Sequence, residues 1–525
     1  MKKPLFAHLM GGLAALFLAV FFFYPLLVIL SRSFSDVTSV WGILSNPFYR
    51  ERLLFTLWQA LLSTFFTVLL GLPSALLFAR FEFRGKRLLR SAFTIPFVMP
   101  SVVAAIGFLS LLGPRGLSGI DLQNSLAIIL LVHVFYNYAI VVRIVGAYLE
   151  TLGYRLHEAA RVLGSSVWRV TWRVTLPIAM PAIIAAATLV FIFCFSSFGV
   201  ILILAPDARF ATLEVSIYRL TTRMLQLDQA AVLVLLQLLI ISVFTWFYTH
   251  LQARLAVQLP GHNRIVKPYG AWRWLLAANI LIASLLILAP LLALLYQAFW
   301  WGGGWLPSLR NFQALGEASL SVGFVGLQAA LWNSLRFAVS SMLLALLVGF
   351  AFAYAVVRAR WYWLDSLSLL PLATSAVTLG LGYLLAFPML RASAWGLILA
   401  HSLIAFPFVA RSLLPALRAL PDNVVYAAVT LGSRPLNILR RVELPLLLPS
   451  LITAASFAFA ISIGEFGASL MLTRPEYATL PVAIFNRLGR PGAANYGAAL
   501  ALCAVLMALT TVVMLLLEHA GKSEL

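Results

Sequence analysis

The chain has 525 residues, of which 62% are hydrophobic and only 10% charged, with a mean hydropathy of +0.98. A soluble domain is nearer half apolar and a quarter charged, so these proportions exclude a protein wetted on all sides and point to a bilayer. The net charge of +20 would suggest nucleic acid if the basic residues formed one patch; they recur instead in short clusters between apolar runs, as membrane orientation requires, and no nucleic-acid partner is expected.

The N-terminus, Lys2-Lys3 followed by an apolar stretch to about Leu30, imitates a secretory signal. The stretch is long and has no small-x-small cleavage site in the right place, so it reads as a retained first helix with its N-terminus in the cytoplasm. A helix crossing the hydrocarbon layer needs about 20 apolar residues, because lipid offers no partner to backbone N–H and C=O groups. Twelve runs qualify: 11–30, 56–79, 92–113, 126–148, 178–204 and 229–250, then 274–298, 335–357, 365–388, 395–411, 446–472 and 497–517. With the first placed inside-to-out, most Lys and Arg fall on inside segments, including the cluster Arg80, Arg84, Lys86, Arg87 and Arg90. That is the sign expected of a multi-pass membrane protein with both termini on the cytoplasmic side. Cys194 and Cys503 lie within apolar runs and form no CxxC pair, so they read as packing residues and no metal site is indicated.

The chain repeats itself. "HVFYNYAIVVR" at 133–143 returns as "HSLIAFPFVAR" at 401–411, 268 positions on. The same offset carries Gly164 to Gly432, Pro177 to Pro445, Pro181 to Pro449 and Phe198-Gly199 to Phe466-Gly467, and a neighbouring one carries "ATLEVSIYRL" (211–220) to "ATLPVAIFNRL" (478–488). An offset of six spans preserves orientation, so the expectation is two parallel six-helix repeats: a first half at 1–260, a cytoplasmic linker at 261–273 and a second half at 274–525.

The inside loop after the fourth helix of each half carries the strongest motif. It reads "EAARVLGSSVWRVTWRVTLP" from Glu158 to Pro177, and "YAAVTLGSRPLNILRRVELP" from Tyr426 to Pro445. Physically this is a short helix, a glycine that permits a turn, a second short basic amphipathic helix, and a proline opening the next span. This skeleton resembles the "EAA" loop of permeases of binding-protein-dependent ABC importers, and the two-in-one layout is similar to fused thiamine and ferric-iron importer permeases. The resemblance implies docking on two copies of a cytoplasmic ABC ATPase through Glu158, Ala159, Ala160, Gly164, Leu176 and Pro177 and through Tyr426, Ala427, Ala428, Gly432, Leu444 and Pro445. The second loop departs where Tyr426 replaces the glutamate, so the first is expected to be the more sensitive. It further implies a substrate-binding protein on the outer side, and ATP and Mg bound by the ATPase rather than by this chain. The one Gly-Lys-Ser triplet, Gly521-Lys522-Ser523, lacks the glycine a phosphate cradle needs at Leu516, so no enzyme activity is expected of this chain.

Polar groups inside apolar spans are costly, which makes them candidates for the solute pathway or its gate. These are Ser196, Ser197, Phe198 and Gly199 in the fifth span and Gly464, Glu465, Phe466 and Gly467 in the eleventh. Glu465 either lines the pathway or pairs with an arginine near the outer surface. His133 and His401 occupy equivalent places, suited to interhelical hydrogen bonding or to a metal relay. Two phenyl rings at matched depth would meet across the axis and close the path, or each would pack in its own half. Thiamine or its phosphates, or ferric iron, are the substrates the resemblance implies. An ion-driven secondary transporter would also have parallel halves, but it has no need of docking loops and usually shows paired acids at membrane depth, which are scarce here.

Overall fold

In the computed structural model the described residues are 5–34, 41–43, 45–93, 95–151, 160, 162–255, 266–300, 306–317, 326–367, 370–390, 393–472 and 474–522. Among them ten helices are long and apolar enough to cross a membrane. In chain order, with the shorter helices that position the site, they are α1 (Leu5–Ser33), α2 (Pro47–Arg80), α3 (Ser101–Leu112), α4 (Leu126–Thr151), α5 (Trp168–Phe195), α6 (Gly199–Leu204), α7 (Leu213–Arg219) and α8 (Leu227–Leu251). There follow α9 (Ala271–Phe299), α10 (Leu327–Arg358), α11 (Ala376–Ala386), α12 (Ala394–Ala419), α13 (Pro435–Gly464), α14 (Gly467–Leu472), α15 (Leu480–Leu488) and α16 (Ala493–Val513).

Four expected spans are corrected. The runs 92–113 and 365–388 are not continuous helices: they are represented by α3 and α11, of 12 and 11 residues, which at 1.5 Å per residue reach only about 16–18 Å. Proline sets the first break, since Pro100 caps α3, and at the second Ser375 caps α11 by accepting a hydrogen bond from Thr378 N–H at 3.0 Å. The runs 178–204 and 446–472 also break, after Phe195 and after Gly464, and α6 and α14 resume the apolar path.

α5 and α13 share a second irregularity 268 residues apart. Each widens through one π turn, Thr171–Thr175 and Leu439–Glu443, just ahead of Pro177 and Pro445. Proline lacks an N–H and its ring crowds the carbonyl four residues back. The wider turn lets Leu176 and Leu444 donate five residues back, to Thr171 O and Leu439 O.

α2 packs along α4 and α10 along α12, with α5 against α2, α4 and α8, and α13 against α10, α12 and α16. α4 and α12 are the most deeply buried spans, and α1 and α9 the least. These peripheral helices exchange places: α1 lies on α10 and α11, while α9 lies on α3 and α16. Small residues permit the exchange, since a side chain at Gly382 would come within 3.0 Å of Pro25, and one at Gly107 within 3.0 Å of Pro290. Past the start of the linker, Val266 is clipped to the end of α2 by Glu82 N–H to Val266 O at 3.0 Å and Val266 N–H to Arg80 O at 3.2 Å.

Candidate functional site

The breaks in α5 and α13 bring the sequence-predicted pathway residues together. Ser196 ends α5 by turning its hydroxyl back onto Ile192 O at 2.8 Å, and Ser197 precedes the ring. Phe198 and Phe466 stack on one another with centroids 5.8 Å apart and planes 23° from parallel. Glycine makes the approach possible from both sides. A side chain at Gly199 would stand 2.8 Å from the Phe466 ring, and one at Gly467 would stand 3.4 Å from the Phe198 ring. Gly464 gives the same kind of room to Pro100, 3.0 Å from where its Cβ would lie. Two further rings flank the stack, Tyr218 of α7 at 5.3 Å from Phe198 and Phe485 of α15 at 5.3 Å from Phe466. Phe198, Phe466 and Tyr218 are buried.

Of the two alternatives for Glu465, no pairing with an arginine is seen among the described residues; its partners are a histidine and a helix N-terminus. Its carboxylate caps α14, accepting from Ala468 N–H at 3.0 Å and Ser469 N–H at 2.9 Å, and stands 3.3 Å from His401 Nε2. Buried in a run of apolar helix, a carboxylate persists only with such partners. His401 also meets Ser462 Oγ through Nδ1 at 3.0 Å and Ser469 Oγ through Nε2 at 2.9 Å. His133 meets Ser63 Oγ through Nδ1 at 2.8 Å, and its buried Nε2 has no partner among the described residues. Both histidines thus bond between helices of their own half. Among the described residues no three His, Cys, Asp or Glu side chains cluster as a metal site would require.

Beside the rings lies a cavity of about 720 Å³. Tyr218 and Phe485 form part of its wall, and Arg115, Arg219 and Arg223 line it. Arg219 donates to Pro206 O at 2.9 Å, and Arg115 lies over the Tyr496 ring at 5.3 Å. Burial, then the positive charges of Arg223 and Arg52, pull the Arg219 pKa below the ordinary arginine value. Sequence reasoning missed these arginines and the two flanking rings. The signal was present: Tyr218 and Phe485 are equivalent positions of the "ATL" repeat.

At the other end of the bundle, the loop candidates divide. Glu158 and Ala159 lie outside the described residues. Gly164 and Gly432 adopt φ of +80° and +77°, and a Cβ at either would meet nothing within 4 Å among the described residues. They are turn residues and not steric contacts. In both loops the helix ends on the same hydrogen bond, Ser165 N–H to Ala160 O at 3.1 Å and Ser433 N–H to Ala428 O at 3.0 Å, the six-residue closure that wants glycine in between. Leu163 and Leu431, just before the glycines, are each 85% exposed. Tyr426 is also exposed, whereas Ala427 accepts from Leu431 N–H at 3.1 Å within its helix. Leu176-Pro177 and Leu444-Pro445 open the next spans behind the π turns.

Three comparisons bear on this geometry. Residues 67–257 match the family model of the binding-protein-dependent transport system inner membrane component. The chain is 26% identical over 467 residues to the thiamine transport system permease protein ThiP of Escherichia coli (strain K12), covering 83% of each chain. It is 34% identical over 203 residues to the putative 2-aminoethylphosphonate transport system permease protein PhnV of Salmonella typhimurium (strain LT2), covering 37% of this chain and 74% of that one.

Proposed function

The chain belongs to the binding-protein-dependent transport system inner membrane components, and from that premise we propose that it is the whole membrane pathway of an ATP-driven importer, gated where Phe198 meets Phe466. It is a multi-pass membrane protein and a transport subunit. In this reading, residues 1–260 and 274–525 are two permease halves joined by the linker at 261–273, with both termini and both glycine loops on the cytoplasmic side. Each loop takes one copy of an ATPase subunit, which binds ATP and Mg, so one chain serves two ATPases. The matched exposed leucines, Leu163 and Leu431, supply apolar contact for that docking. A substrate-binding protein delivers the solute from the outer side.

The observation that carries the gate is the ring-on-ring contact across the two halves, with Gly199 and Gly467 reciprocally cut back to admit it. In this reading the stacked phenyl rings, flanked by Tyr218 and Phe485, would exclude water from the path. Closure of the ATPases on ATP would draw the loops together and part the rings, giving alternating access. The relatives' names offer two kinds of solute: thiamine, a cation, and 2-aminoethylphosphonate, which bears a phosphonate.

A pair of cysteines tests the gate. Phe198→Cys with Phe466→Cys should crosslink in the nucleotide-free complex with the ATPase and lose most of that crosslinking when ATP is trapped. Phe198→Ala with Phe466→Ala should raise resting ATP hydrolysis or solute leak several-fold at normal yield. Crosslinking indifferent to nucleotide, together with a double alanine variant that only lowers yield, would assign the rings to packing.

A further inference from the structure

The cavity beside the aromatic cluster carries positive charge that no ion pair among the described residues neutralises; the nearest acid that acts on it, Asp207, is itself paired with Arg209. Three guanidiniums line it, from the loop after α3 (Arg115), from the end of α7 (Arg219) and from the turn beyond it (Arg223). Its lining includes no aspartate or glutamate. Among the described residues none of the three arginines forms an ion pair. Arg219 spends one nitrogen on Pro206 O, and Arg115 has only the face of Tyr496.

Membrane orientation does not account for these charges. They stand at the end of the bundle opposite Gly164 and Gly432, which the topology assigns to the outer side, the side on which basic residues are ordinarily depleted. Nor is the cluster packing: Arg115 and Arg223 are exposed, and their charge is presented to the cavity instead of being folded away. A guanidinium stays charged at any physiological pH, and its fork of donors fits the oxygens of a phosphate or phosphonate two at a time. Like charges gathered in a low-dielectric cleft also focus a field that draws anions in and turns cations away.

We propose that this cavity is the receiving mouth of the pathway and is built for a solute bearing a phosphate or phosphonate group, with Arg115, Arg219 and Arg223 as its charged lining. The inference rests on the importer reading above and narrows it. Of the two solute kinds named by the relatives, it selects the phosphonate over free thiamine, and of thiamine's own forms it selects the phosphorylated ones. The aromatic cluster then does two things: Tyr218 and Phe485 offer ring faces to the solute's organic part while Phe198 and Phe466 close the way onward.

The test uses the chain reconstituted in vesicles with its ATPase and binding protein. ATP-driven accumulation is measured separately for thiamine, thiamine diphosphate and 2-aminoethylphosphonate, in the parent, in Arg219→Gln with Arg223→Gln, and in Arg219→Lys with Arg223→Lys. The expected result is accumulation of a phosphorus-bearing probe in preference to thiamine, a loss of tenfold or more in the glutamine variant, and recovery to within about threefold in the lysine variant. Co-purification of the ATPase with each variant separates lost assembly from lost transport. Preferred uptake of thiamine, or phosphorus-probe uptake that ignores the glutamine changes, would overturn the anion assignment while leaving the importer standing. An ATPase that does not co-purify with the parent chain would instead sink the importer reading itself.

Discussion

α4 and α12 place a histidine at the same position, yet the two histidines live in different chemistry. Among the described residues His133 has one serine and a ring nitrogen with no partner; His401 has two serines and the carboxylate of Glu465. The ends of α2 and α10 diverge in the same way. Arg80 lies over the Trp272 ring at 4.9 Å, which in turn stacks on Trp168 at 5.8 Å. Its counterpart Arg358 makes a buried ion pair with Glu443 at 2.8 Å, and Tyr354 donates to the same carboxylate at 3.0 Å. What both halves keep is the frame: the π turn before proline, the left-handed glycine in the loop, the broken fifth helix and its ring. The symmetric parts are those a two-fold motion must use together; the polar pairs are free to differ, so each half can be broken separately.

The largest difference should appear at Glu443. Glu443→Gln takes a full negative charge away from the buried Arg358, a loss of about 3–5 kcal/mol, readable as a large fall in the thermal midpoint in detergent. The equivalent first-half change, Thr175→Ala, should cost only about 1 kcal/mol, because it removes a neutral hydroxyl, bonded to Val170 O at 3.5 Å, and leaves no buried charge behind. Equal losses at the two positions would mean that the halves are energetically alike despite their different partners.

Next comes the helix cap. Glu465→Gln keeps the shape but weakens the two N–H bonds that start α14 and the contact with His401, at about 1–2 kcal/mol. Because α14 begins next to Phe466, ring stacking should loosen with it, and crosslinking between cysteines at 198 and 466 should fall. Ser197→Ala, at the same place in the first half, should change neither. A response in Ser197→Ala as large as that in Glu465→Gln would remove Glu465 from the positioning of the ring.

The glycine loops should respond alike. Both glycines hold positive φ with nothing near the absent Cβ, so Gly164→Ala and Gly432→Ala each cost about 1–2 kcal/mol of local order and no clash. The ratio of ATP hydrolysed to solute moved should rise in both by a similar factor. A much stronger effect in the first loop would assign the difference to side chains such as Glu158, which lacks an equivalent at Tyr426, and not to the turn.

Much of this was legible in the sequence. Composition alone placed the chain in the bilayer, and the offset of 268 predicted that Phe198 and Phe466 would lie at one depth, where they in fact stack. The breaks in α3, α5, α11 and α13 were not read, because apolar runs give no sign of where a helix stops when proline and a buried capping group decide it. The histidine partner of Glu465 was not legible for a related reason. Hydropathy marks a buried acid as expensive without showing that His401, 64 residues earlier, has been carried beside it by α12. The arginine cavity escaped because Arg115 comes from a different part of the chain than Arg219 and Arg223, and each looks, taken alone, like an ordinary loop charge.

The smallest expected effect concerns a pair whose signs are exchanged between the halves. Arg90 pairs with Glu150 at the end of α4, while Asp365 pairs with Arg418 near the end of α12 at 2.7 Å. Glu150 and Arg418 are 268 residues apart, so the repeat has kept the contact and reversed its polarity. All four side chains are partly exposed, and such pairs are worth about 0.2–1 kcal/mol once solvent screening is counted. The reversal itself supplies the control. Glu150→Arg alone sets like charges together, whereas Glu150→Arg with Arg90→Asp rebuilds in the first half the arrangement native to the second. Thermal midpoints should fall by a degree or two in the single change and return nearly to the parent in the double, provided the contact matters and its polarity does not. The second half should be the more sensitive of the two, since Asp365 also faces Arg411 at 3.9 Å and its removal exposes two arginines to each other. A double reversal no better than the single would show that Arg90 is held by its other neighbours, among them Phe78 O at 3.3 Å, and that the exchanged signs record drift instead of a maintained pair.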